Sequence, residues 1–111
     1  MSVETDVRHL DDRVIVHFSG ELDMAEVPRL QQELEAIESS RPDLLVLDLQ
    51  RLTFIDSSGL RFILESDLRA RKESRRVAIV PGPEQVHRIF LIALLDMRLD
   101  FIEPDQMETT S

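Results

Sequence analysis

Asp56, Ser57, Ser58 and Gly59 stand between an apolar run over residues 44–49 and an amphipathic one over residues 60–68. A hydroxyl placed where a strand gives way to a helix is exposed and aimed outward, among backbone N–H groups that have no intrahelical partner. Such a serine can carry a phosphate. A second acidic segment, Gly20-Glu21-Leu22-Asp23, closes an earlier strand pattern. On spacing alone Ser57 and Ser58 read first as helix caps, because serine is a common N-cap. Asp56 reads as the residue that orients the loop backbone through Asx-type bonding, and Asp23 either as a turn former or as part of an interface.

The elements that must position these residues follow from hydrophobic period. Val14, Val16 and Phe18 alternate with Ile15, His17 and Ser19, which predicts a strand ending at Gly20, after a weaker strand over residues 3–10 and a turn at Asp11-Asp12. Val27, Leu30, Leu34 and Ile37 lie on one helical stripe, and Pro28 is acceptable only in the first turn, so this helix starts near Glu26. Leu44-Leu45-Val46-Leu47 suits a parallel strand inside a sheet. Leu60, Ile63, Leu64 and Leu68 mark a second helical stripe running to about Lys72. Phe62 falls off that stripe and reads either as a half-exposed anchor for a partner, the favoured reading, or as a side chain covered by a loop. Residues 77–80 form another buried strand. Pro83 then opens a third helix with a face of Val86, Ile89, Phe90 and Ala93, and residues 99–102 could add a short last strand. The tail from Pro104 is polar and expected to fray.

This order is an α/β pattern with right-handed crossovers, in which function gathers at the carboxyl ends of the strands. The two acidic segments both arrive at that edge and should be neighbours.

Composition narrows the chemistry. The 111 residues, 42% of them hydrophobic, suffice for one core and one domain. Acidic residues number 22 against 13 basic, and the net charge of -9 repels nucleic acid and anionic membrane, which leaves proteins as partners. The chain has no cysteine, so disulfides and thiolate sites are excluded, consistent with a reducing compartment. Its N-terminus lacks the basic start and apolar stretch of a secretory signal, and no apolar run nears the roughly 20 residues of a membrane span, so a cytoplasmic location is expected. His9, His17 and His87 share no ligand spacing, and no metal or cofactor is expected. Arg69, Arg71, Lys72, Arg75 and Arg76 read as a solvated face that complements the second helix's C-terminal dipole.

Taken together, Gly20-Glu21-Leu22-Asp23 and, a helix and a strand later, Asp48-Leu49 through Asp56-Ser57-Ser58-Gly59-Leu60 resemble the signature of the STAS domain, the family of anti-sigma factor antagonists of bacterial partner-switching systems. The resemblance spans roughly residues 3 to 102. It implies the SpoIIAA-like fold, a mostly parallel sheet with an antiparallel N-terminal strand and helices in a (βα) superhelix, and a regulator without catalysis of its own. By family analogy Ser57 is the phosphoacceptor, with Ser58 the second choice. Glu21, Asp23, Asp56, Ser57, Ser58, Gly59, Leu60 and Phe62 then form the partner-binding surface. The implied partners are an anti-sigma factor serine kinase of the GHKL type and a PP2C-type phosphatase. Two positions depart from the family pattern: Glu26 where relatives carry Ser or Thr, and the run Leu91 to Asp96 where relatives often have a glycine.

Other classes fit less well. A receiver domain phosphorylated on Asp56 needs an acidic pair after its first strand and a late lysine, yet no lysine follows Lys72. A hydrolase would need the glycine that leads a nucleophile elbow, and nucleotide-binding fingerprints are absent with only three glycines present. Within the family the rival is a constitutive STAS subunit docked on a transporter ATPase or a larger signalling assembly.

Overall fold

The computed structural model describes residues 2–109. Its elements run β1 (Val3–His9), β2 (Arg13–Leu22), α1 (Val27–Glu38), β3 (Leu44–Ile55), α2 (Ser57–Lys72), β4 (Arg76–Val80) and α3 (Glu84–Ile92). The sheet order is β1-β2-β3-β4, with β1 antiparallel to β2 and the rest parallel, as the α/β pattern requires. One face of the sheet, including Val16 and Phe18 of β2, Leu45 and Leu47 of β3 and Ile79 of β4, packs against Leu30 and Leu34 of α1, Phe62 and Ile63 of α2, and Val86 and Phe90 of α3. The other face holds a smaller cluster of Ile15, Leu44, Val46, Ala78 and Val80, covered by Ile102 and Met107. No helix among the described residues is long and apolar enough to cross a membrane.

Several elements differ from the sequence reading. β2 continues to Leu22 rather than ending at Gly20, and β3 continues to Ile55 rather than Leu49. The pairing of β3 with β4 stops at Asp48 and Val80, while β2 and β3 stay paired as far as Leu22 and Ile55. Two strands therefore overhang the rest of the sheet. Register shifts between His17 and Ser19 and between Gly20 and Glu21 break the period of two there, so Leu49, Leu52 and Ile55 are buried at intervals of three.

The expected last strand is reduced to a single parallel bridge, Phe101 to Ile79. The expected frayed tail is docked through residue 109. Pro104–Gln106 form a 3₁₀ turn with a capping box at Glu103, and the buried Arg13 guanidinium donates to the carbonyls of Met107 and Thr109. Glu108 pairs with Arg8 at 2.9 Å.

The basic cluster is not simply a solvated face. Arg69 forks onto Glu38 of α1 at 2.9 and 3.0 Å, Arg71 holds Asp67 at 2.8 Å, and Arg75 and Arg76 pair with Glu73 and Asp100. In the third helix Val86 and Phe90 are buried, but Ala93 is exposed beyond the last turn.

Candidate functional site

The Asp56-Ser57-Ser58-Gly59 segment begins with the cap of α2. Asp56 has extended backbone angles, φ -108 and ψ -176, and its Oδ1 accepts the N–H of Gly59 at 2.9 Å. That satisfies one of the donors orphaned at a helix start. The cap is therefore the aspartate, and neither serine is needed for it. Ser57 is the first helical residue, with its side chain exposed, and Ser58 follows half-buried.

Asp56 also joins the two acidic segments. Its Oδ2 accepts the N–H of Met24 at 3.0 Å, and its own N–H donates to the carbonyl of Leu22 at 3.2 Å. Glu21 pairs in register with Phe54, and Leu22 with Ile55. The expected adjacency of the two segments is thus realised through the β2–β3 overhang. Asp23 forms the turn that follows: its Oδ1 accepts the N–H of Ala25 at 3.1 Å and its carbonyl accepts the N–H of Glu26 at 3.1 Å. Glu21 and Asp23 are both half-buried.

Gly59 is buried because α2 lies directly on the ends of β2 and β3. A Cβ at this position would stand 2.8 Å from the Leu22 carbonyl oxygen and 2.9 Å from Ile55 Cγ1, so the first turn can approach only with a glycine there.

Phe62 corrects the sequence reading: at 2% exposure it is a core residue, set edge-on to Phe18 with ring centroids 6.4 Å apart. The buried face of α2 is Gly59, Phe62, Ile63, Ser66, Asp67 and Ala70, while Leu60 and Leu64 are half-buried and Leu68 is exposed. Gly59 carries no side chain, and Phe62 is almost wholly enclosed by the core.

Two apolar residues that sequence reasoning passed over flank the site. Met24 is 71% exposed and Phe54 46% exposed. Met24 stands outside the Val27/Leu30 stripe, and that was the available signal. With Val27, Pro28, Ser58, Arg61 and Glu65 among its walls, Met24 lines a shallow groove of about 330 Å³ beside the start of α2.

Glu26, the first departure from the family pattern, is the N-cap of α1 but makes no side-chain cap bond. Its carboxylate instead accepts the N–H of Val3 at 2.7 Å, which ties β1 to the helix start and, with Arg29 beside it, holds the Glu26 carboxyl below its ordinary range. Away from this edge, His17 meets Asp48 at 2.6 Å, and His87 packs between the rings of Phe90 and Phe101.

The arrangement has counterparts. The family described as "Mlab, STAS domain" matches residues 5–103. An anti-sigma F factor antagonist from Paenibacillus polymyxa is 34% identical over 99 residues, 87% of this chain and 80% of its own. The crystal structure of an anti-sigma factor antagonist from Mycobacterium paratuberculosis superposes with a TM-score of 0.83 at 29% identity, covering 93% of this chain and 86% of that one. The Bacillus cell fate determinant SpoIIAA in its phosphorylated form shares the fold, with a TM-score of 0.72 at 18% identity over 93% of this chain and 95% of its own. Family match, sequence identity, fold and coverage agree: the chain belongs to the STAS-domain family of anti-sigma factor antagonists.

Proposed function

We propose that the unmodified protein binds an anti-sigma factor serine kinase of the GHKL type, thereby releasing a sigma factor, and that phosphorylation of Ser57 blocks this binding. The observation that carries the reading is the exposed Ser57 hydroxyl at the first position of α2, on a loop pinned by Asp56 beside the exposed Met24. Regulation here is by binding and release, without catalysis by this chain.

A phosphate adds about -1.5 to -2 charge at Ser57. At its own helix N-terminus it is stabilised by about 0.3–1 kcal/mol, so the domain keeps its fold. The interface changes instead. A phosphate about 6 Å from an acidic group of the partner, at an effective dielectric near 20, is repelled by roughly 3 kcal/mol per unit charge. Since 1.4 kcal/mol is tenfold, one such contact weakens binding on the order of a hundredfold. Asp23 and Asp56 deepen the negative field, and a PP2C-type phosphatase would reset the switch.

The test is the affinity of the cognate kinase for both forms. Tight binding by unmodified protein and by Ser57→Ala, with weak binding by the phosphoprotein, is expected. Equal binding by the two forms would end the reading. Recovery from cells of a transporter ATPase with unmodified Ser57 would favour the constitutive-subunit alternative.

A further inference from the structure

We propose that Arg61 is the internal counter-ion of the phosphorylated switch serine, folding back along α2 to pair with the phosphate on Ser57. This rests on the reading of Ser57 as phosphoacceptor and adds how the new charge is held.

An α-helix turns about 100° per residue, so Arg61 lies about 40° around the axis from Ser57 and about 60° from Ser58, one turn onward. Residues so spaced have Cβ atoms about 5–6 Å apart, and an anion placed N-terminal to a cation at i,i+4 is the favourable order. The planar guanidinium fork matches phosphate oxygens in a bidentate manner.

The surroundings leave Arg61 available. Its side chain is exposed and lines the groove that Ser58 also lines. Among the described residues no hydrogen bond or ion pair holds it, not even with Glu65 one turn further on. The other basic residues of α2 stand in its last turn, where Arg69 and Arg71 are occupied by Glu38 and Asp67. Competing carboxylates are weaker partners than a phosphate of about -1.5 to -2 charge. Both oxygens of Asp56 already accept backbone N–H groups, and Asp23 is engaged in its own turn.

The pairing makes phosphorylation act twice at the interface. It adds a negative group at Ser57 and draws the guanidinium away from the groove, so a partner carboxylate loses a cation and meets an anion.

The experiment is a ³¹P NMR titration of the full chain carrying phosphoserine at position 57, installed during translation. The second phosphate pKa, about 6 in an isolated phosphoserine, should rise by about 0.2–0.4 unit in Arg61→Gln relative to the protein with Arg61. Arg61→Lys keeps the charge but not the fork and should fall between. Glutamine and arginine have similar helix propensity and the site is exposed, so the helix survives the change, as amide spectra would verify. Equal phosphate titration with and without the Arg61→Gln substitution overturns the proposal. No partner enters this measurement, so that result would leave the kinase reading standing. Conversely, failure to bind a kinase would leave the titration unaffected.

Discussion

The carboxylate of Asp56 accepts the backbone N–H of Met24, thirty-two residues away, at 3.0 Å, while its second oxygen caps α2 at Gly59. One side chain thus joins the loop after β2 to the helix that carries Ser57. Asp56→Ala removes both bonds. Loss of the cap costs about 1 kcal/mol, and the freed N–H groups of Met24 and Gly59 should exchange faster with solvent. Urea denaturation and amide hydrogen exchange check the two parts separately; unchanged exchange at Met24 would contradict the tie.

Gly59→Ala tests the close approach of α2 to the sheet. The added methyl would meet the Leu22 backbone and the Ile55 side chain, so the helix start must lift. A loss of about 1–3 kcal/mol is expected, measured by chemical denaturation, with Ser57 and Ser58 shifts moving in amide spectra.

Leu94→Gly should do the opposite. After α3, Leu94 sits in the left-handed region at φ 58, its N–H bonded to Leu91 and that of Leu95 to Phe90, the pattern of a Schellman motif with leucine where glycine is usual. This is the glycine departure noted in the sequence, and the backbone takes the left-handed turn without it. Relief of the strain should stabilise the fold by about 1 kcal/mol, a rise in Tm of about 4 °C. Thermal unfolding followed by circular dichroism reads it directly, and an unchanged or lower Tm would count against strain at Leu94.

Acidification should weaken the fold through three carboxyls held below their ordinary values: Glu26 by the Val3 N–H and then Arg29, Glu108 by Arg8, and Asp12 by Arg13. In each case the unfolded chain binds the proton more readily, so the stabilisation is complete above the ordinary value, 4.5 for glutamate, and is lost as pH falls through the depressed folded value. Urea midpoints should hold steady from about pH 7 to about pH 5 and then decline, and Glu26→Gln should make the decline shallower.

Much of this architecture was legible because its parallel strands are apolar runs and its first helix has a clean stripe at Leu30 and Leu34. The strand-to-helix junction was legible for a different reason: Asp56-Ser57-Ser58-Gly59 has the same local logic in sequence and in space, with the cap at Asp56 and the helix opening at Ser57. Phe62 was misread because the buried face of α2 carries Ser66 and Asp67, which polarity assigns to the surface. Glu38 and Arg71 satisfy those two groups from neighbouring positions, the first at 3.4 Å and the second at 2.8 Å. The strand ends were misread because the bulges in β3, opposite His17–Ser19 and Gly20–Glu21, replace alternation with intervals of three. The tail was misread because its anchor, Arg13, lies more than ninety residues upstream.

The extension of β2 and β3 past β4 also bears on how fast a partner can engage. It holds Glu21, Phe54 and the hydroxyl of Ser57 on backbone already fixed by strand pairing and by the helix cap. A docking protein would meet a finished shape, so encounter should proceed at the about 10⁵–10⁷ M⁻¹s⁻¹ of rigid surfaces. A modified serine would then leave its mark chiefly in the lifetime of the complex rather than in the frequency of productive collisions.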